Sequence, residues 1–187
     1  MGAAALALGH GGVWVGTGGG SVWRLPASRT TLGAPVRWLQ PGGFRVSTFV
    51  HGLEAAFGSV WVADGTGGRL VRLDPRRRFR PVEARKQGLW HPTHLAIAAG
   101  AVWVGDSGAR TVYRVDRRTN RAVRSFRLPG DVMKLVGSGE SVWVVTAGPG
   151  KADRAHRATV LPPDRPGHEP RQLVSPSGLR PPHRGHG

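Results

Sequence analysis

The chain has 187 residues, no cysteine and a formal net charge of +16 at pH 7, from 27 lysines and arginines against 11 acidic residues. The missing cysteines exclude disulfide and thiol chemistry. No apolar run approaches the roughly 18 residues of a membrane-spanning helix, and no 3.6-residue apolar period lasts three turns, which excludes a helical core.

The first eight residues lack the basic opening and the apolar length of a signal peptide, and Leu6-Ala7-Leu8 reads as a strand. Val13-Trp14-Val15 follows as a second strand. The glycine-rich residues 16–20 have no helix behind them to receive a phosphate, so they form a turn. Residues 22–25 make a third strand closed by Pro26, and a fourth is expected near 44–49, after an extra loop containing Trp38. A second set runs through 53–56, 60–63 and 70–74, with Pro75 closing it. Its fourth strand is expected to be weak, because 76–80 is a charge run and Pro81 limits pairing. The third set is the cleanest, with strands at 95–98, 102–105, 111–116 and 122–128. Strand 102–105 has little polar alternation and is expected to be buried on both faces; 122–128 alternates, with Arg124 and Arg127 turned to water. A fourth set begins at Met133 and is about two residues longer before Val142-Trp143-Val144; 159–161 and 171–174 are its remaining strands. Gly148-Pro149-Gly150-Lys151 lacks the serine or threonine of a nucleotide-binding loop. Residues 147–187 form a tail rich in proline, arginine and histidine, with disorder expected beyond about 175.

The four sets are copies of one unit. Val-Trp-Val recurs around Trp14, Trp61, Trp103 and Trp143, at intervals of 47, 42 and 40 residues, close to the period of roughly 40–45 of a four-stranded propeller blade. The copies occupy about 3–50, 51–92, 93–131 and 132–175, the last degenerate, and the array proper covers 1–146. Gly100-Ala101-Val102-Trp103-Val104-Gly105-Asp106 with Val112-Tyr113-Arg114-Val115-Asp116 resembles the blade of bacterial β-propellers of the YVTN or WD-like type. Gly58-Ser59-Val60-Trp61-Val62-Ala63-Asp64 with Val71-Arg72-Leu73-Asp74-Pro75 resembles it equally, and the likeness extends over about 3–146. It implies an all-β propeller with the four tryptophans as core. Members of that family usually close a ring of about seven blades, whereas three and a half to four are legible here. The expectation is an incomplete or open ring, a fragment of a larger propeller or a chain that self-associates through unclosed blade edges.

Candidate chemistry is sparse. Arg24, Arg72 and Arg114 share one blade position and are expected to pair with Asp74 and Asp116. Asp64 and Asp106 start turns and are expected to accept backbone hydrogen bonds there. His51, His91, Thr93 and His94 flank the first strands of the second and third copies, where a propeller face opens toward its channel, and form the candidate ligand-binding set. The blade type is similar to that of streptogramin lyases, which implies histidine, glutamate and a divalent metal on that face. No Glu-x-His element of those enzymes occurs here, and Glu54 falls inside a strand. No catalytic residue, metal ligand or cofactor is therefore assigned. The expected function is a non-enzymatic scaffold that binds a protein or small molecule at this face, with a lyase or the sensor domain of a bacterial signalling protein as alternatives. No aromatic residues interleave with the arginines, so specific nucleic-acid binding is not expected. Arginine supplies nearly all the positive charge and, with abundant alanine, glycine and proline, reads as the signature of a GC-rich genome. The sequence leaves the cellular compartment open.

Overall fold

Apolar runs of five to seven residues punctuated by glycine can satisfy their backbone only by pairing with neighbours, and here they pair as antiparallel hairpins. The computed structural model describes residues 2–28, 33–34, 36–37, 49–74, 81–83, 88–147, 157–161 and 171–173. The first sheet holds β1 (Ala3–Gly9), β2 (Gly12–Thr17), β3 (Val22–Pro26) and β4 (Val36–Arg37). The second holds β5 (Gly52–Ala56), β6 (Ser59–Asp64), β7 (Arg69–Leu73) and β8 (Pro81–Glu83). The third holds β9 (Pro92–Ala98), β10 (Ala101–Asp106), β11 (Thr111–Asp116) and β12 (Arg121–Arg127). The fourth holds β13 (Val132–Ser138), β14 (Ser141–Thr146), β15 (Arg157–Leu161) and β16 (Arg171–Leu173). Each sheet is a four-stranded meander in chain order. Among the described residues there is no helix, and so none long and apolar enough to cross a membrane.

Turn chemistry fixes the first hairpin of each unit. In the first three sheets a two-residue loop joins the strands, and both loop residues have positive φ: His10 and Gly11, Phe57 and Gly58, Ala99 and Gly100. That backbone matches the twist of the flanking strands and favours glycine at the second position.

Three hydrophobic clusters lie between consecutive sheets rather than within them. Trp14 packs with Val50 and with Leu53, Val60, Val62, Val71 and Leu73 of the next unit. Trp61 packs with Leu95, Val102, Val104 and Val115. Trp103 packs with Val132, Leu135, Val142, Val144 and Leu161. Each of the first three blades thus presents its tryptophan to a valine-leucine face of the blade that follows. Trp14, Trp61 and Trp103 are at most 1% exposed, and the indoles of Trp14 and Trp103 donate to the carbonyls of Gly9 and Ala98, each at 3.0 Å.

The inner strands also pack in sequence, β1 with β5, β5 with β9 and β9 with β13. Among the described residues no packing of that extent joins β1 to β13. The fold is a β-propeller of four four-stranded blades in an open ring.

One local expectation changes and one falls largely outside the described residues. The described part of the fourth strand of the first blade is β4 at Val36–Arg37, paired with Trp23 and Arg24; residues 44–48, where that strand is expected, lie outside the described residues. Arg72 does not pair with a carboxylate. Its register opposite Trp61 lays the guanidinium 5.3 Å from the indole centroid, where it donates to Ser59 Oγ at 2.7 Å and to the Arg117 carbonyl at 2.9 Å. Arg24 lies 5.8 Å from the Trp14 ring in the same way. A cation over an indole face is favourable without a partner anion. Asp116 serves its own turn instead, accepting from Arg118 N, Thr119 N and Thr119 Oγ1.

Candidate ligand-binding face of the channel

Where the four inner strands converge they enclose a cleft of about 240 Å³. Its polar lining comes from three blades: His51 and Glu54 of the second, Thr93 and His94 of the third, and Lys134 of the fourth; the first blade contributes Ala4, Ala5 and Leu6. The repeat register explains the meeting. His94 lies opposite Gly105, Lys134 opposite Val145, Gly52 opposite Ala63 and Ala5 opposite Gly16, one tier of the array. Glu54 is one tier further along, opposite Trp61.

Electrostatics follows from burial in this cleft. Desolvation pushes the Glu54 carboxyl above the usual carboxylate range, partly offset by the Lys134 ammonium. Burial lowers the pKa of His94, and the charge of Lys134 and nearby His51 lower it further. Burial lowers His51 as well, helped by His91. At neutral pH the cleft therefore presents two neutral imidazoles beside a carboxyl group and an ammonium.

His51 is held by its neighbours rather than by hydrogen bonds to both ring nitrogens. Its ring stands edge-on to His91, centroids 4.9 Å apart, and tilts against Phe49 at 4.6 Å. Nδ1 is buried without a hydrogen-bond partner in the protein. Gly65 provides the space: a Cβ there would come within 2.8 Å of the imidazole. His91 is fixed through its backbone, its N–H donating to Asp106 Oδ1 at 3.0 Å and its carbonyl accepting from Ser107 N. Asp106, fully buried, also accepts from Trp90 N and Ala109 N, so one carboxylate ties its own turn to the loop that carries His91. Asp64 plays the corresponding part in the second blade, accepting from Gly67 N and pairing with Arg69 at 2.8 Å.

Of the four residues expected here, His51, Thr93 and His94 line the cleft, while His91 supports His51 from outside it. The Thr93 hydroxyl is committed to Ser107 Oγ at 2.6 Å, and Ser107 in turn donates to the Val132 carbonyl, so this pair links the third and fourth blades. Glu54 and Lys134 were not in the expected set. The aligned register of the inner strands is the signal that would have found Lys134, since it occupies the tier of His94. Among the described residues no group of three or more histidines, cysteines or acidic residues is arranged to hold a metal ion.

No protein-family profile and no curated sequence relative matches the chain. Solved structures do. A computationally designed protein, Ika4, superimposes with a TM-score of 0.63 at 16% identity, covering 87% of this chain and 91% of that one. The Pan2 WD40 domain of Neurospora crassa gives 0.65 at 11% identity, over 92% of this chain and 49% of that one. Virginiamycin B lyase from Staphylococcus aureus gives 0.61 at 15% identity, over 75% and 47%. The chain spans about half the length of the natural structures it matches. At these identities the likeness carries the propeller fold and no activity.

Proposed function

We propose that the protein is a non-enzymatic β-propeller scaffold that captures a small polar ligand or a polar segment of a partner protein at the inner-strand cleft. The observation that carries this reading is the convergence of His51, Glu54, His94 and Lys134 from three separate blades on one cleft of about 240 Å³. A rigid array of sheets holds those groups at fixed spacing, so a ligand loses little affinity to protein reordering. WD40 domains among the structural neighbours, together with a chain from a mitotic checkpoint complex, support the choice of an interaction scaffold.

One observation favours a second reading. Glu54 shares the cleft with His51 and His94, and virginiamycin B lyase is among the structural neighbours. A metal-dependent lyase would need these groups to converge on a cation, and the described residues hold no such cluster.

A thermal-shift screen of small polar compounds separates the two. Ligands that raise the melting temperature of the wild type by about 2 °C or more, and lose that effect in Glu54→Gln/Lys134→Met, support capture at the cleft. Shifts that survive the double substitution place the ligand elsewhere and contradict it. Linearisation of virginiamycin B in the presence of divalent cations would overturn the non-enzymatic reading.

A further inference from the structure

The two end blades carry the two unused halves of the interface that is made three times inside the chain. On the fourth blade, Trp143 holds the position of Trp14, Trp61 and Trp103 but is 39% exposed, and Val136, directly opposite it on β13, is 50% exposed. The partner position on β15 is Val160 where the other blades carry Arg24, Arg72 and Arg114, so this tryptophan face is more apolar than its internal counterparts. On the first blade, Leu6 is paired with Val15, and Leu8 with Val13. These correspond in register to Leu53 with Val62 and Ala55 with Val60, which the second blade packs against Trp14. Yet Leu6 is 64% and Leu8 78% exposed. A monomer rarely leaves two such apolar sheet faces in water.

We infer that a second copy of this chain covers both faces, with the Trp143 face of each copy seated on the Leu6–Leu8 face of the other. Another member of the same repeat is the occupant whose shape is already demonstrated, because three internal interfaces join this pair of faces. The contact joins unlike surfaces and would give a filament unless its rotation closes. Closure by two copies gives eight blades, within the range of roughly four to eight that propellers adopt, whereas three copies would exceed it. Inner strands of the second copy would then complete the wall of the channel, which the open ring leaves unsealed between β1 and β13. This assembly is argued from the end faces; Leu6 also borders the cleft, while Leu8 and Trp143, the positions substituted below, do not.

Sedimentation velocity on the full chain tests it, with Trp143→Arg and Leu8→Glu as interface variants. Both side chains are exposed, so each variant is expected to keep its fold, which far-ultraviolet circular dichroism checks. The expected result is a dimer for the wild type and monomers for each variant alone. An equimolar mixture of the two variants should regain dimer, because one interface is then intact and the other places arginine opposite glutamate. A symmetric contact between like faces would gain nothing from mixing and would contradict the assignment. A monomeric wild type, open-ended polymers, or a dimer indifferent to both substitutions would overturn the proposal.

Discussion

The two middle blades and the two end blades are built from one sequence pattern, yet they are buried differently. β6 and β10 are covered at all six residues, whereas β2 and β14 alternate between covered and partly exposed positions. The strand itself is the same apolar Val-Trp-Val core in each case, so what differs is the number of neighbours. A middle blade has a tryptophan pressed into one face and its own tryptophan pressed into the next blade, while an end blade has only one such contact. Stability in this array accordingly includes a term for each interface between repeats, beyond what each repeat supplies alone.

That comparison can be broken or sharpened by substitution at matched positions. The largest expected difference is between Leu53 and Leu6, which share one register. Leu53→Ala should cost about 2–5 kcal/mol through the cavity it leaves in a packed interface, and Leu6→Ala in dilute monomer about 0.5 kcal/mol or less. Denaturant unfolding measures both, and equal losses would remove the distinction. Asp106→Ala should cost about 2–4 kcal/mol, because the N–H groups of Trp90, His91 and Ala109 lose their shared, fully buried acceptor. Hydrogen exchange at Trp90 and His91 should rise sharply in the same variant. Gly65→Ala should cost about 1–3 kcal/mol, since the new methyl displaces the His51 imidazole; the cleft ligand should weaken with it, and unchanged ligand binding would detach His51 from the site.

The smallest effect is a pH dependence. His51 and His94 have folded pKa values below the ordinary value of about 6.5. Below pH 6.5 the unfolded chain takes up protons that the folded chain refuses, so stability should fall as pH drops from 7 toward the lowered folded values. Glu54 acts in the opposite sense: its raised folded pKa favours the fold at low pH and withdraws that contribution as pH rises above the ordinary glutamate value. Melting temperature between pH 7 and 5.5 should therefore decline, and His94→Gln should flatten the decline. A profile unaffected by that substitution would mean His94 is solvated.

Much of the fold was legible because its two determinants are local in sequence. The recurring tryptophans mark the blades, and glycines at positive φ such as Gly58 and Gly100 mark the hairpins between first and second strands. What the sequence concealed were partnerships set by register. Arg72 has acidic neighbours in the chain, but its side chain lies over Trp61 because the two stand opposite each other in the sheet. Lys134 is remote from the histidines in sequence and joins them only because each inner strand lines the same channel. The exposure of Trp143 was equally hidden, since the same Val-Trp-Val tripeptide surrounds the buried Trp103 and the difference lies in whether another sheet packs on it.

The most direct test is hydrogen exchange of the indole N–H groups, followed by NMR in a sample held monomeric by Leu8→Glu. Trp14, Trp61 and Trp103 should exchange slowly, near the rate of global opening, and Trp143 should exchange orders of magnitude faster. Protection of Trp143 equal to the other three, or rapid exchange at Trp61 and Trp103, would contradict blades interlocked through their tryptophans with the last one left uncovered.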